Sequence, residues 1–397
     1  MKTFLKLMSL MVILSVLAAC TGGAETEAPE AGEELDAQEQ WLMENQLGPY
    51  YEETQDWAAI EAAAIEEGSV IVYANSSKIA AAVELWQEMY PEIAIEGYDL
   101  GGDDVLAKTI GEQESGLIIG DVWFSSGGAE LVGNVLPHEY VWRFVPDTLA
   151  GIPDELTQPL LMSRFGTTLL AYNGELETEC PVNNLWALTE PEWRGRIFIE
   201  DPLNDASTLS KLITIAYHAE EMHDAYVAFY GTEPVLDDDT PDAGWLWLKR
   251  FAENAPIPQP GGDEVDSAFA TPGMTESYLA FTSYSNYADV LEGALVFEPC
   301  WGTAPVVGVQ SQSYLGIMNQ APHPNAAKLF IRFITSPEGR DPWSKFGTYF
   351  ADPNYEVPEG QLSLEDIQAV TWFIAEQYAY DNLVQARDFY LLNLGTP

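Results

Sequence analysis

GDVWFSSGGA, residues 120–129, is an apolar run that stops in two serines and two glycines. The segment VWF has the bulk and branching of a buried strand. A plain turn needs one glycine; this one offers hydroxyls and bare N–H groups together, and a helical pattern follows. The same order occurs upstream. SVIVYA, residues 69–74, reads as a strand, Asn75-Ser76-Ser77 as a polar turn, and residues 78–90 as a helix stopped by Pro91. Between the two turns, residues 93–98 read as a strand and 103–114 as a helix, and the strand that ends in VWF begins at 117. Strands alternating with helices imply βαβ units and a mostly parallel sheet. In such sheets ligands bind beyond the carboxyl ends of the strands, where helices begin. Both Ser turns are therefore expected to present hydroxyls and free N–H groups at helix N-termini, which suits an anion or a carbonyl oxygen. N-capping alone is the alternative reading of each.

A second unit repeats the grammar. Residues 196–200 form a strand ending in Asp201-Pro202, and NDAST, residues 204–208, opens a helix expected over 209–222. Residues 166–172 read as a strand connecting the two halves, and 295–297 with 304–309 flank a second crossing. The expected fold is α/β with two lobes. Each lobe is a mostly parallel sheet flanked by helices, and two crossover strands form a hinge. Residues 56–165 with 303–345 make lobe 1, and 166–302 with 346–397 make lobe 2.

The N-terminus is set apart. Residues 1–19 carry Lys2 and Lys6 and then an apolar run too short to span a membrane, so they read as an export signal. Leu17-Ala18-Ala19-Cys20 resembles the bacterial lipobox, which implies a lipidated Cys20 anchoring the chain to a membrane at the cell surface or in the periplasm. Residues 20–55 follow as an acidic flexible tether; 21–40 hold no base and almost no large apolar side chain. Of the other two cysteines, Cys180 and Cys300 form an even pair in an exported chain, so they read as a disulfide, with two separate buried thiols as the alternative.

The chain has 63 Asp and Glu against 16 Lys and Arg, a net charge of −47. This argues against nucleic acid, whose phosphates need a basic face. Metal and catalytic motifs find little support. His218 and His223 are five residues apart, roughly 140° around a helix, where the HExxH zinc motif needs four. No GxSxG elbow and no GxxxxGK[ST] loop occurs. No cofactor is expected.

Several further stretches carry a resemblance. They are AAAIEEGSVIVY (62–73), Tyr90-Pro91, GDVWFS (120–125), WRGRIFIEDP (193–202), APHPNAAKLFIRF (321–333) and SPEG (336–339). In this order they resemble the solute-binding proteins of ATP-binding-cassette importers, in the branch associated with ferric iron, thiamine, phosphonates and polyamines. The resemblance implies a type II periplasmic-binding-protein fold, a monomer that closes on a small solute between its lobes, and partners in a permease and an ATPase. The leading solute class is an oxygen-rich anion such as a phosphonate or phosphate ester. Ferric iron with a synergistic anion, held by Tyr284 and Tyr287, is second, although the adjacent tyrosine pair of ferric relatives is interrupted here by Ser285-Asn286. Thiamine or a polyamine is third, and an exported hydrolase is the reading of a different class. The candidate solute contacts are Asn75, Ser76, Ser77 and Lys78 at the first turn, and Ser125, Ser126 and Gly127 at the second. Arg164 precedes the first crossing, Ser207 and Thr208 open the helix of the second lobe, and Tyr284, Tyr287, Trp301 and Thr303 lie near the return crossing. His323 is read as a helix-start cap.

Overall fold

Ser69–Ala74 anchors the sheet because Val70, Val72, Tyr73 and Ala74 are all fully buried. The computed structural model describes residues 35–126, 128–352 and 354–396. Among these, 12 strands form one continuous sheet that runs through both lobes. In lobe 1, Ser69–Ala74 pairs in parallel with Ala94–Asp99 and with Val122–Ser125. In lobe 2, Ile197–Glu200 pairs in parallel with Ile257–Gln259 and Leu279–Ser283. Two long strands join the halves, Leu161–Asn173 outward and Gly308–Met318 on the return. They pair antiparallel with one another and with the inner strand of each lobe.

Helices cover the sheet where the sequence caps them. Asp56 accepts from Ala59 N–H to open Trp57–Glu67, and Gly68 closes it at φ +76°, a conformation that favours glycine. Asp205 opens Ala206–Tyr217 in the same way. Pro324–Ile334, with proline at its first position, buries Leu329, Phe330 and Ile331 and packs on Trp57–Glu67.

Four elements differ from the sequence reading. The third strand starts at Val122 rather than 117, because the Glu112 carboxylate takes the N–H groups of Ile119 and Gly120 at 2.9 and 3.0 Å. The helix expected over 209–222 divides at His218, whose backbone leaves helical geometry and whose ring stacks on Trp372 at 3.8 Å. The return crossing lies at 308–318, beyond the segments expected to flank it at 295–309. The tether expected over 20–55 gives way to folded chain near Asp36: Ala37–Glu44 is a helix, and Leu42 and Leu47 are buried. Lys328 Nζ donates to Asn45 O at 2.6 Å and Tyr51 Oη to Val145 O at 2.8 Å, which fixes this segment on lobe 1.

The export signal at 1–19, lipidation at Cys20 and the role expected of Gly127 lie outside the described residues. No described helix is long and apolar enough to cross a membrane.

Cys180 and Cys300 form a disulfide with Cα atoms 5.2 Å apart, closing a sequence separation of 120 residues. Cross-linking so long a loop restricts the unfolded chain, and losing such a bond typically costs about 2–5 kcal/mol. Urea unfolding is expected to shift to lower concentration under reductant by that amount. Alkylation of both thiols without reduction would contradict the bond.

Candidate functional site

The end of the opening stretch explains its start. Gly120 leaves no room for a side chain: a Cβ there would lie 2.4 Å from the Tyr73 ring and 2.6 Å from Met318 Sδ. Asp121 is fully buried and accepts from Ile71 N–H at 2.7 Å and His323 N–H at 2.8 Å. Its other ring contact is to His323 Nδ1 at 3.0 Å. Burial pushes its carboxyl up, and the bonds from His323 and Ile71 oppose that. Asp121 thus ties two strands to the start of the helix at 324, which holds the neighbouring strand ends in line.

Beyond those strand ends a cleft of about 380 Å³ opens between the lobes. Lobe 1 contributes Asn75 and Ser126, and lobe 2 contributes Ser283 and Ser285. The floor is the crossing pair, with residues 164–168 of one strand and 311–313 of the other. The segment after the helices of lobe 1 adds Lys345, Gly347 and Thr348. Asn75 Nδ2 donates to Ser126 Oγ at 2.9 Å, so the two turns are joined to each other.

Arg164 is the centre of this lining. Its strand carries a bulge here: Ser313 pairs with Arg164 and the next residue, Tyr314, with Met162, leaving Ser163 as the extra residue. Bulges re-aim side chains beside sites. Burial lowers the guanidinium to about 10, and no carboxylate pairs with it among the described residues. Lys345 lies on a segment that bridges the lobes. Nearby Trp343 donates to Ser76 Oγ at 3.0 Å on lobe 1, while Phe346 packs on Tyr284 and Tyr287 of lobe 2 at 5.2 and 5.3 Å. Lys78, outside the lining itself, is lowered by burial first, then by the positive charges of Lys345 and Arg164. No Asp or Glu lines the cleft among the described residues. Five of its buried polar atoms have no partner among them: Asn75 Oδ1, Arg164 Nε, Thr167 Oγ1, Gln312 Oε1 and Ser313 Oγ.

A side recess of about 160 Å³ shares Ser126, Ser311 and Gln312 with the cleft. Ser207 lines it opposite Ser126.

The remaining candidates lie elsewhere. Ser76 is occupied by the Trp343 indole, and Ser77 points to solvent. Ser125 is fully buried in its strand, as the alternation of the sheet requires of a residue whose neighbour faces the cleft. Thr208 is buried and donates to Glu200 at 3.1 Å. Thr303 donates to Cys300 O at 2.8 Å and holds a turn. Tyr284 is only 2% exposed, inside an aromatic cluster with Tyr287, Trp301 and Phe346. Tyr287 donates to Glu298 at 3.1 Å, and burial followed by Glu298 pushes its phenol up to about 12. Sequence reasoning missed Lys345, Ser283, Ser285 and 311–313. The only local signal for the last is the serine and glutamine content of QSQS, residues 310–313, on an otherwise apolar strand.

One further cluster has the order of a hydrolytic relay: Ser69 Oγ lies 3.1 Å from His323 Nε2, and His323 Nδ1 meets Asp121. The helix N-terminus beside it is already used, since Glu67 takes the N–H groups of Asn325 and Ala326 at 3.1 and 2.7 Å. Those are the donors an oxyanion would need. Ser69 also begins the strand whose other end reaches the cleft at Asn75, roughly 20 Å away at 3.3 Å per residue. The His323 side chain makes no capping bond, contrary to its reading as a cap; Glu67 caps the helix, and the cluster holds the helix start to the strands.

A family described as bacterial extracellular solute-binding protein matches residues 147–369, more than half of the chain. The chain belongs to that family. Iron-bound HitA from Pseudomonas aeruginosa is similar at 16% identity, covering 81% of this chain and 99% of that one, with a TM-score of 0.62. AfuA from Actinobacillus pleuropneumoniae, bound to fructose-6-phosphate, is similar at 17% identity over 82% and 98%, with a TM-score of 0.57. Apo ferric ion-binding protein A from Pasteurella haemolytica is similar at 14% identity over 82% and 98%, with a TM-score of 0.59. At these identities the likeness is one of fold, the two-lobed type II periplasmic-binding-protein fold. Among curated proteins none matches. This solute-binding protein is therefore an extracellular solute-binding component of the kind that serves ATP-binding-cassette importers.

The recess of the solute-binding protein holds one unusual acid. Glu376 is buried and accepts from Tyr314 Oη at 2.9 Å. Burial raises its carboxyl from 4.5 to about 8, against the Tyr314 bond. A raised carboxyl favours folding fully below 4.5 and loses that favour as pH rises toward 8. Glu376→Gln, which stays neutral, is expected to be more stable than the parent at neutral pH, with the gain vanishing as pH falls to 4.5. The slope over that range approaches about 1.4 kcal/mol per pH unit. Denaturant midpoints measured across pH check it.

Proposed function

We propose that the cleft captures a small oxygen-rich anion, with phosphonates and phosphate monoesters as the leading class. The observation that carries this reading is the lining itself. A chain with net charge −47 places Arg164 and Lys345 in one cleft, with Lys78 beside it, and no carboxylate lines the described part of it. A guanidinium can hold a phosphate-type group with two parallel charge-assisted bonds, and the serine and threonine hydroxyls of the lining supply further donors. The anion would touch both lobes and the hinge, so it would bind the closed state better and draw the lobes together.

The other solute classes fit less well. Thiamine and polyamines are cations and would face three positive side chains. Ferric iron needs phenolates, and both tyrosines of the expected pair are raised by burial and enclosed by aromatic rings. In our reading the protein acts as a monomer, held beside its permease and ATPase by lipid on Cys20. Two or more acyl chains anchor stably where one does not.

Calorimetry and thermal-shift titration with inorganic phosphate, ethylphosphonate, fructose 6-phosphate, spermidine, thiamine and ferric citrate test the reading. An anion from the first three is expected to bind and raise the melting temperature. A hydrogen bond to a charged group is worth about 1.5–3 kcal/mol, so Arg164→Met is expected to weaken that binding by roughly 10- to 100-fold. Lys345→Met, being more exposed, is expected to cost less. Binding of spermidine, thiamine or iron that survives Arg164→Met in the folded variant would overturn it.

A further inference from the structure

The C-terminal helix, Glu376–Asn393, belongs to neither lobe alone. It packs on the lobe 2 helices Ala206–Tyr217 and Ala243–Glu253, and also on residues 128–135 of lobe 1. Two stripes of its surface divide the task. Tyr378 and Phe389 face lobe 2, where Trp245 Nε1 donates to Tyr378 Oη at 2.9 Å and the Trp245 and Phe389 rings lie 5.1 Å apart. Glu376, Tyr380 and Leu383 recur at the spacing of a second helical face. Glu376 and Leu383 line the side recess of the cleft, as does Ile374 just before the helix.

Tyr380 makes the contact with lobe 1. A Cβ on Gly133 would lie 2.3 Å from the Tyr380 ring, so the ring rests directly on glycine backbone. Gly133 sits in a widened π-type turn, Leu131–Val135, a geometry frequent at functional sites. Tyr380 Oη donates to Asn134 Oδ1 at 3.1 Å, and the amide nitrogen of Asn134 is turned to Glu130, which leaves its oxygen free to accept. The helix start is tied to the hinge as well. Ile374 N–H donates to Gln310 O at 3.0 Å, Gln312 Nε2 to Ile374 O at 3.2 Å, and Tyr314 Oη to Glu376.

From this arrangement we infer that the C-terminal helix is a working part of the binding site. It is a wall of the side recess, and a strap whose Tyr380–Gly133 contact sets how far the lobes part. The contact spans the two lobes, so it biases them toward closure and strengthens capture by raising the fraction that is ready to bind. The strap is independent of which solute the cleft takes.

Small-angle scattering of the full chain without added solute tests it. Tyr380→Ala and Gly133→Ala are each expected to increase the radius of gyration and maximum dimension, with circular dichroism showing a folded protein. Tyr380→Phe, which keeps the ring on Gly133, is expected to stay close to the parent. Folded Tyr380→Ala and Gly133→Ala proteins with the parent's scattering curve would overturn the inference. Hydrogen exchange on the parent covers the case in which both fail to fold. Amides of residues 131–135 and 378–383 are expected to gain protection together, and a helix face that exchanges far faster than the turn beneath it would overturn the inference equally.

Discussion

The antiparallel pairing of two strands, Leu161–Asn173 with Gly308–Met318, is the constraint on which the molecule depends. It makes the two half-sheets one, and it is also the floor of the cleft. The strands approach closely because Gly308 has no side chain; a Cβ there would meet Thr168 O at 2.1 Å. The single bulge at Ser163 then sets the phase of everything on the floor, bringing Arg164 beside Ser313. Joining and binding are therefore built from the same residues. A solute resting on this floor touches the elements about which the lobes move.

Charge follows the same plan. Taking a guanidinium out of water is costly unless a partner compensates, yet Arg164 is half-buried with no carboxylate paired to it among the described residues of a chain with 63 acids. Lys78 adds to the cost: burial lowers its ammonium first, and the charges of Lys345 and Arg164 lower it further. An anion entering the cleft compensates that charge and can accept from the serine and threonine hydroxyls of the lining. The large negative surface does not forbid it, because charges beyond about 8 Å are screened at physiological salt and the local cations decide.

Much of the fold was legible because it rests on local pattern. The turns after Ala74 and Ser125 announce a parallel sheet, and APHPNAAKLFIRF announces the family. Of the contacts expected from sequence, Asn75, Ser126 and Arg164 line the cleft and Ser207 its recess, while Ser125, beside Ser126, is buried in its strand. Strand alternation decides between such neighbours, and it depends on where the strand begins. Here that start is displaced by Glu112 taking two backbone N–H groups, a contact no window of sequence displays. Lys345 and Ser283 could not be found locally, because the register of the crossing strands and the bridge of Trp343 and Phe346 between lobes bring them together. Tyr284, Tyr287, Trp301 and Thr303 had suitable chemistry, but packing assigned them to an aromatic cluster and a turn.

The central claim is that an anion rests against Arg164. Native mass spectrometry of the exported, disulfide-bonded protein, purified without phosphate and released by mild unfolding, tests it most directly. The account requires any retained solute to be a small phosphorus-containing or otherwise oxygen-rich anion, absent from the Arg164→Met protein purified alongside. A retained metal ion or organic cation, present equally in both proteins, would contradict it.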